Sequence, residues 1–281
     1  MISDKVLFIG HNWPEIQSTA AGRRTYELLN WFLKQKSSIT FVSAAQSSEY
    51  SKSFFTLPIS CIKIKMNDSS FDTFLKDLKP DVVVFDRFLT EEQFGPRVAE
   101  TCPGAIRILD TSDLHSLRYT RQKLFKENKK FSPLEWMSQD ITQREIASIY
   151  RSDLTLVISK YEMKLLKKWG GVSSKLLFFL PFLAKKTAIK KNTSHPAFKE
   201  REHFMFVGNG KHQPNVDGLI WLITEIWPII KKEIPEAELH IYGPYMPQIV
   251  INLFNSKNGI YGKGWTDNLV KTMQLYRVNL I

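Results

Sequence analysis

The sequence contains little cysteine and no long apolar run. Only Cys61 and Cys102 occur among its 281 residues, which argues against a disulfide framework and a cysteine-based metal site. The first residues lead directly into an apolar segment, without the basic region and long apolar core of a secretory signal peptide. No apolar stretch approaches the length of a membrane span. We therefore expect a cytoplasmic protein with reduced cysteines, while peripheral contact with a membrane stays open.

Acidic residues are in the minority, and the net charge is +11. Such an excess is typical of proteins that meet nucleic acid, an anionic membrane or phosphorylated small molecules, although a generally basic globular protein has the same composition. Lysines are spread through the chain and densest around residues 185–211, without the single basic stripe of a DNA-reading protein. We therefore expect no nucleic-acid partner.

Apolar runs alternate with amphipathic segments through the first half, which predicts an α/β domain with a parallel sheet. We predict strands at residues 6–10, 38–42, 61–65, 81–86, 105–110, 153–159 and 176–180, with 61–65 at a sheet edge. We predict that the first helix begins within residues 20–25. Further helices are predicted at 71–78, 91–100, 117–130, 134–150 and 161–169.

The second half repeats this pattern after a polar, lysine-rich stretch, residues 184–202, which is typical of a linker. We therefore predict one domain over 1–183 and another over 203–281. In the latter we predict three strands, at 204–207, 239–243 and 260–265, and a further strand beginning at 278. The predicted helices are 216–232, kinked at Pro228, and 267–276, with Asp267 as its N-cap.

Small residues mark the start of the first predicted helix. At Gly22 the backbone allows a phosphate or a sugar to approach closely, with Arg23 beside it. A glycine there is equally expected where a helix packs tightly against a strand. We treat Gly22 and Arg23 as candidate donor-binding residues.

Two carboxylates and a histidine follow the strand predicted at 105–110. This position, at the carboxyl end of a parallel strand, is where α/β folds place their chemistry. Asp113 and His115 are therefore candidate catalytic residues. Alternatively, Asp113 or Ser112 caps the helix that follows.

A glycine loop follows the strand predicted at 204–207. Strand, glycine loop, helix and strand form a mononucleotide-binding unit, in which backbone N–H groups and the helix dipole bind phosphate. Glycines also end the next two predicted strands. The candidate donor- or phosphate-binding residues here are Gly208, Asn209, Lys211, Gly243 and Gly264.

Short motifs in shared order resemble those of the family 4 (group 1) retaining glycosyltransferases over nearly the whole chain. They comprise residues 151–159, similar to the family's Ala-Asp-x-Val-x-x-Val-Ser strand, the Leu-Pro-Phe turn at 180–182, and the segments 206–208, 214–215, 227–228, 235–243 and 264–267. The resemblance implies a GT-B architecture of two Rossmann-like domains, the second incomplete.

The resemblance also implies a function. Enzymes of this family transfer a sugar from a nucleotide-sugar donor to a saccharide, lipid-linked or protein acceptor, as in the synthesis of cell-envelope polysaccharide. It places the loop of Gly22 at the reaction centre, His115 near the transferred sugar and the nucleotide in the second domain. It implies neither a metal nor a cofactor beyond the donor. Separately from the resemblance, the basic residues of the helix predicted at 117–130 indicate either a solvated face or a contact with anionic lipid.

The sequence also departs from the family. Asn209 and a shifted Lys211 replace the arginine and lysine that hold the diphosphate, and the family's later glutamate pair and second glycine loop have no counterpart. We therefore expect a truncated second domain and weak or no sugar transfer. The alternatives are a non-catalytic binding or assembly subunit and half of a split enzyme. An oxidoreductase is disfavoured, because neither Gly10 nor Gly208 begins a complete Gly-x-Gly-x-x-Gly loop.

Overall fold

The computed structural model describes residues 4–183 and 196–280. The chain divides into two compact units, Met1–Ala184 and Lys185–Ile281. Most of the predicted linker, residues 184–195, lies outside the described residues. Of its remainder, Phe198–Glu200 form a single 3₁₀ turn and Glu202 already begins a strand. Within the described parts of the chain, no helix is both long and apolar enough to cross a membrane.

The described residues of the first unit form a parallel sheet of seven strands in the order β3-β2-β1-β4-β5-β6-β7. These are β1 (Lys5–Gly10), β2 (Ser38–Ser43), β3 (Ser60–Lys63), β4 (Val82–Asp86), β5 (Ile106–Asp110), β6 (Leu154–Val157) and β7 (Leu177–Phe179). Leu7 and Ile9 belong to one core cluster, whereas Val6 and Phe8 belong to another. Since β1 is buried on both faces, it reads as an unbroken apolar run.

Helices lie between the strands, as the alternation predicts. They are α1 (Ala20–Lys34), α2 (Ser70–Leu78), α3 (Phe88–Thr101), α4 (His115–Lys126), α5 (Pro133–Met137), α6 (Asp140–Arg151) and α7 (Lys160–Lys168). The single helix predicted at 134–150 is wrong, because α5 ends at Met137 and the extended backbone of Gln139 starts α6. The break lets the Thr142 hydroxyl donate to the carbonyl of the fully buried Trp136, 2.5 Å away.

The described residues of the second unit form a parallel sheet of four strands in the order β10-β9-β8-β11. These are β8 (Glu202–Val207), β9 (Leu239–Tyr242), β10 (Ile260–Gly264) and β11 (Tyr276–Leu280). The further strand predicted from 278 is β11, which begins two residues earlier, at Tyr276, and pairs with β8.

Helices α8 (Gln213–Trp221), α9 (Trp227–Glu233), α10 (Gln248–Ile251) and α11 (Leu269–Met273) complete the described part of this unit. Between α8 and α9 the chain makes a π-helical turn, Leu222–Ile226, which precedes Pro228. The wider turn accommodates a proline that lacks an N–H donor. The predicted cap Asp267 is wrong. Asn268 is the N-cap of α11, and its side-chain oxygen accepts from the Lys271 N–H at 3.0 Å.

Candidate functional site

Strands β1, β4 and β5 are neighbours in the first sheet, so their carboxyl ends meet at one edge. His11 follows β1, Arg87 follows β4, and Asp113 and His115 follow β5. The backbone binds these ends together, because the Arg87 N–H donates to the Asp110 carbonyl at 2.7 Å. In a doubly wound sheet this edge carries the ligand crevice.

Asp113 and His115 are brought together, as a joint role requires. His115 Nε2 lies 3.3 Å from one Asp113 oxygen, and Arg118 Nη1 lies 2.8 Å from the other. Burial raises the pKa of Asp113, but the hydrogen bond from His115 and the positive Arg118 outweigh it, so the pKa is below its ordinary value. The carboxylate is thus ionised at neutral pH.

The capping alternative for Asp113 does not hold. The N-cap of α4 is Leu114, and its first N–H groups are satisfied from other helices. Asp113 instead orients the imidazole of His115, whose ring is 11% exposed and meets Phe88 edge-on at 5.8 Å between ring centroids. An imidazole held by a carboxylate can bind a hydroxyl or pass a proton.

Two residues beside this pair have strained backbones. Arg87 has φ 68° and ψ 163°, and Ser112 has φ 58°. Residues other than glycine rarely adopt a positive φ. The hydroxyl of Ser112 is buried with no hydrogen-bond partner among the described residues. Strain of this kind concentrates at functional sites, since the surrounding structure must maintain it.

Sequence reasoning missed His11 and Arg87. His11 is exposed at its surface, but the protein around it partly desolvates the imidazole, and this lowers its pKa. The positive charge of Arg87 lowers the pKa further. His11 is therefore neutral at pH 7 and can accept a proton or a hydrogen bond. The signal was present in the sequence, because both residues directly follow buried strands, the criterion that selected Asp113.

Sequence reasoning also missed Arg24. It is the most deeply buried of the arginines and lysines in the described part of the first unit. Its Nε and Nη2 lie 2.8 Å and 2.7 Å from Asp110 Oδ1, and its Nη1 donates to the Leu180 carbonyl at 2.9 Å. The pair joins α1 to β5 and to the segment after β7. The predicted Arg23 is instead 45% exposed and pairs with Glu27 at 2.9 Å.

Gly22 lies in the first turn of α1, where its N–H donates to the N-cap hydroxyl of Thr19 at 2.9 Å. A Cβ at this position would lie 2.5 Å from the Glu15 carbonyl oxygen. The close approach that requires glycine is therefore made by the loop before α1 rather than by a strand, and a role of Gly22 in donor binding stays a prediction.

In the second unit the three predicted glycines meet at the carboxyl edge of the sheet. The Gly208 N–H donates to the Tyr242 carbonyl at 3.0 Å, and the Gly243 N–H donates to the Gly264 carbonyl at 2.8 Å. Gly243 has φ 137°, and a Cβ there would overlap the Gly208 carbonyl oxygen. Only glycine permits this contact between the ends of β8 and β9.

Asn209 and Lys211 shape the loop between β8 and α8. The Asn209 side-chain oxygen accepts from the Lys211 N–H at 2.9 Å, and its carbonyl accepts from the Asn215 side chain at 3.2 Å. Lys211 is exposed, and its Nζ lies 3.6 Å from the centre of the Tyr245 ring. The loop thus places an accessible ammonium group beside the N-terminus of α8, an arrangement suited to phosphate.

Among residues 4–183 and 196–280, no group of three or more histidine, cysteine, aspartate or glutamate side chains is placed to hold a metal ion.

No family model matches the chain, and no curated protein matches its sequence. Solved structures do match. Sucrose-phosphate synthase from Thermosynechococcus elongatus aligns over 94% of this chain and 71% of its own, at 12% identity and a TM-score of 0.60. The lipopolysaccharide outer core galactosyltransferase WaaB aligns over 96% of this chain and 70% of its own, at 14% identity and a TM-score of 0.54. The UDP-GlcNAc 2-epimerase of Methanocaldococcus jannaschii aligns over 98% of this chain and 77% of its own, at 13% identity and a TM-score of 0.54.

At such low identity a structural likeness establishes the fold rather than the reaction. It spans both sheets of this chain, since each alignment covers more than nine-tenths of it. The chain therefore has the GT-B glycosyltransferase fold, built from two Rossmann-like α/β units.

Proposed function

We propose that the protein is a glycosyltransferase, which moves a sugar from a nucleotide-sugar donor to an acceptor with retention of configuration and without a metal. The observation that carries this proposal is the glycine edge of the second sheet, where Gly208, Gly243 and Gly264 meet beside Lys211. It offers the N-terminal end of the α8 helix dipole and an exposed cation to a diphosphate.

The chemistry of such a transfer needs charge stabilisation more than a nucleophile. As the donor bond breaks, negative charge develops on the leaving diphosphate, and Lys211 with the N-terminus of α8 supplies positive potential there. In the first unit, His115 held by Asp113 receives the sugar hydroxyls.

The matched structures support a nucleotide-sugar role, because their names include a galactosyltransferase, a sucrose-phosphate synthase and an epimerase of UDP-GlcNAc. The galactosyltransferase acts on lipopolysaccharide outer core, which supports an acceptor in cell-envelope polysaccharide. Peripheral contact with anionic lipid through α4 belongs to the same proposal.

The test is a thermal-shift and turnover screen of UDP-, GDP- and ADP-sugars with and without EDTA. We expect one nucleotide to raise the melting temperature, with release of nucleoside diphosphate that EDTA does not abolish. Chromatography of the products separates transfer from epimerisation of an intact donor. No stabilisation by any nucleotide sugar would overturn the proposal, whereas stabilisation without turnover favours a binding subunit.

Lys211→Ala should abolish the thermal shift caused by that nucleotide, because the loop loses its accessible cation. Lys257→Ala is the matched control, since Lys257 is another exposed lysine of the same unit, in the 3₁₀ turn Ser256–Asn258. A similar response of the two variants would exclude Lys211 as a phosphate ligand.

A further inference from the structure

Helix α4 begins without a cap of its own. Its N-cap residue is Leu114, whose side chain has no acceptor, although the first N–H groups of a helix need one. The turn that needs this support also carries His115, and Asp113 directly precedes it.

Two glutamates from other helices supply the acceptors. Glu145 of α6 accepts from the His115 N–H through Oε1 and from the Ser116 N–H through Oε2, both at 3.0 Å. Glu162 of α7 accepts from the Leu114 N–H at 3.2 Å. A carboxylate that bridges two successive N–H groups fixes the backbone more firmly than a single bond would, and it favours the helix dipole.

A buried hydrogen-bond chain holds Glu145 in turn. The Trp136 indole N–H donates to Ser116 Oγ at 2.8 Å, and that hydroxyl donates to Glu145 Oε2 at 2.5 Å. Trp136 and Ser116 are fully buried and Glu145 is 2% exposed. Because these groups lie out of water, loss of one acceptor leaves a donor unsatisfied rather than solvated.

We propose that Glu145 is the positioning residue of the first unit's site: it holds the backbone of His115 and Ser116 so that the imidazole stays against Asp113. The inference rests on the proposed function for the role of His115, but not for its geometry. Since carboxyl oxygens of Glu145 and Glu162 already accept from the first N–H groups of α4, this turn is closed to phosphate.

The test compares Glu145→Gln with Glu91→Gln in the full chain, without nucleotide. A glutamine keeps the size of the side chain but offers one acceptor oxygen, so either the His115 or the Ser116 amide loses its bond. Glu91 is the control because it is equally buried and pairs with Arg151 of the same helix α6 at 2.6 Å.

In Glu145→Gln we expect hydrogen exchange of whichever amide loses its acceptor, that of His115 or that of Ser116, to accelerate about tenfold, the equivalent of one lost hydrogen bond. The indole signal of Trp136 should shift in ¹H–¹⁵N spectra, and the pKa of Asp113 should rise as His115 loosens. Glu91→Gln should leave all three readouts unchanged.

Ser116→Ala is the second variant, and it tests the same hydrogen-bond chain if Glu145→Gln folds poorly. It removes only the hydroxyl link, so the Trp136 signal should move while the two amides stay protected. Equal amide exchange and equal Asp113 titration in Glu145→Gln and Glu91→Gln would overturn the proposal. None of these readouts needs turnover. A failed sugar screen would therefore refute the proposed function without testing whether Glu145 holds the turn of His115.

Discussion

Arg24 and Arg23 are neighbours in sequence with opposite environments. Arg24 is 2% exposed and pairs with Asp110, whereas Arg23 lies on the solvent side of α1. Removing one partner of a buried ion pair leaves an uncompensated charge, so Arg24→Ala should lower the free energy of unfolding by about 3–5 kcal/mol.

Urea denaturation measures this loss, and Arg23→Ala is the control, with an expected change within about 0.5 kcal/mol. The Arg24→Ala, Asp110→Ala double variant should lose less than the sum of the single changes, because no charge then stays unpaired. Equal effects of the two arginine substitutions would show that burial of Arg24 carries no such cost.

Burial raises the pKa of Glu162 to about 7, and the nearby carboxylates of Asp113 and Glu145 add to this effect. The folded protein therefore binds a proton that the unfolded chain releases near pH 4.5, the ordinary value for this group. The free energy of unfolding should consequently fall as pH rises from about 4.5 to above 7, by up to about 3 kcal/mol.

Glu162→Gln should remove this dependence, because an amide stays neutral at every pH. Thermal melts at pH 5.5 and pH 8 should show the variant gaining stability over the wild type only at pH 8. If the wild type and the variant kept the same difference at both pH values, Glu162 would titrate at its ordinary value.

At the scale of the element, α4 combines a buried start with a basic end. Exposed cations precede and follow Phe125, which is 78% exposed, along the end of α4 and the loop after it: Arg121, Lys123, Lys126, Lys129 and Lys130. An exposed aromatic ring in a basic segment fits the interface of an anionic bilayer, where each lysine or arginine contributes about 1 kcal/mol.

Sedimentation with vesicles tests this contact. We expect binding to phosphatidylglycerol vesicles and not to phosphatidylcholine vesicles, with salt weakening it. Lys126→Ala with Lys130→Ala should reduce the affinity about 30-fold by that estimate. The control pair Lys34→Ala with Lys52→Ala removes the same charge from other exposed positions, and an equal loss there would reduce the effect to net charge.

The elements themselves were largely predictable. Strands β1, β2 and β4 appear within a residue or two of their predicted ends, because burial on both faces favours apolar runs, interrupted in β2 by Thr40. The split between α5 and α6 was not, because both helices share one apolar periodicity and the break is stabilised by the Thr142 contact with Trp136.

At the scale of the whole molecule, each unit has a core of its own. The first has apolar clusters on both faces of its sheet, including Ile9, and the second has a smaller cluster that includes Ile241. A smaller unit buries a smaller fraction of its surface and should unfold at lower urea.

Hydrogen exchange with mass spectrometry in increasing urea should therefore show residues 202–280 opening before the first sheet. Ile241→Ala should destabilise only the second unit, and Ile9→Ala only the first, each by about 2–5 kcal/mol. A single transition for both sheets, moved equally by either substitution, would show that the units unfold as one.

The sequence by itself determined the two α/β units, the positions of most of their strands along the chain and the glycine loop at Gly208, because these depend on local periodicity and on backbone freedom. It also selected Asp113 and His115, since chemistry follows the carboxyl ends of buried strands. Only the tertiary structure decided their partners. Arg24 meets Asp110 across 86 positions, and Glu145 meets the turn of His115 across 30. A buried charge or N–H group must find a partner wherever the fold brings one, and no local pattern records which residue that is.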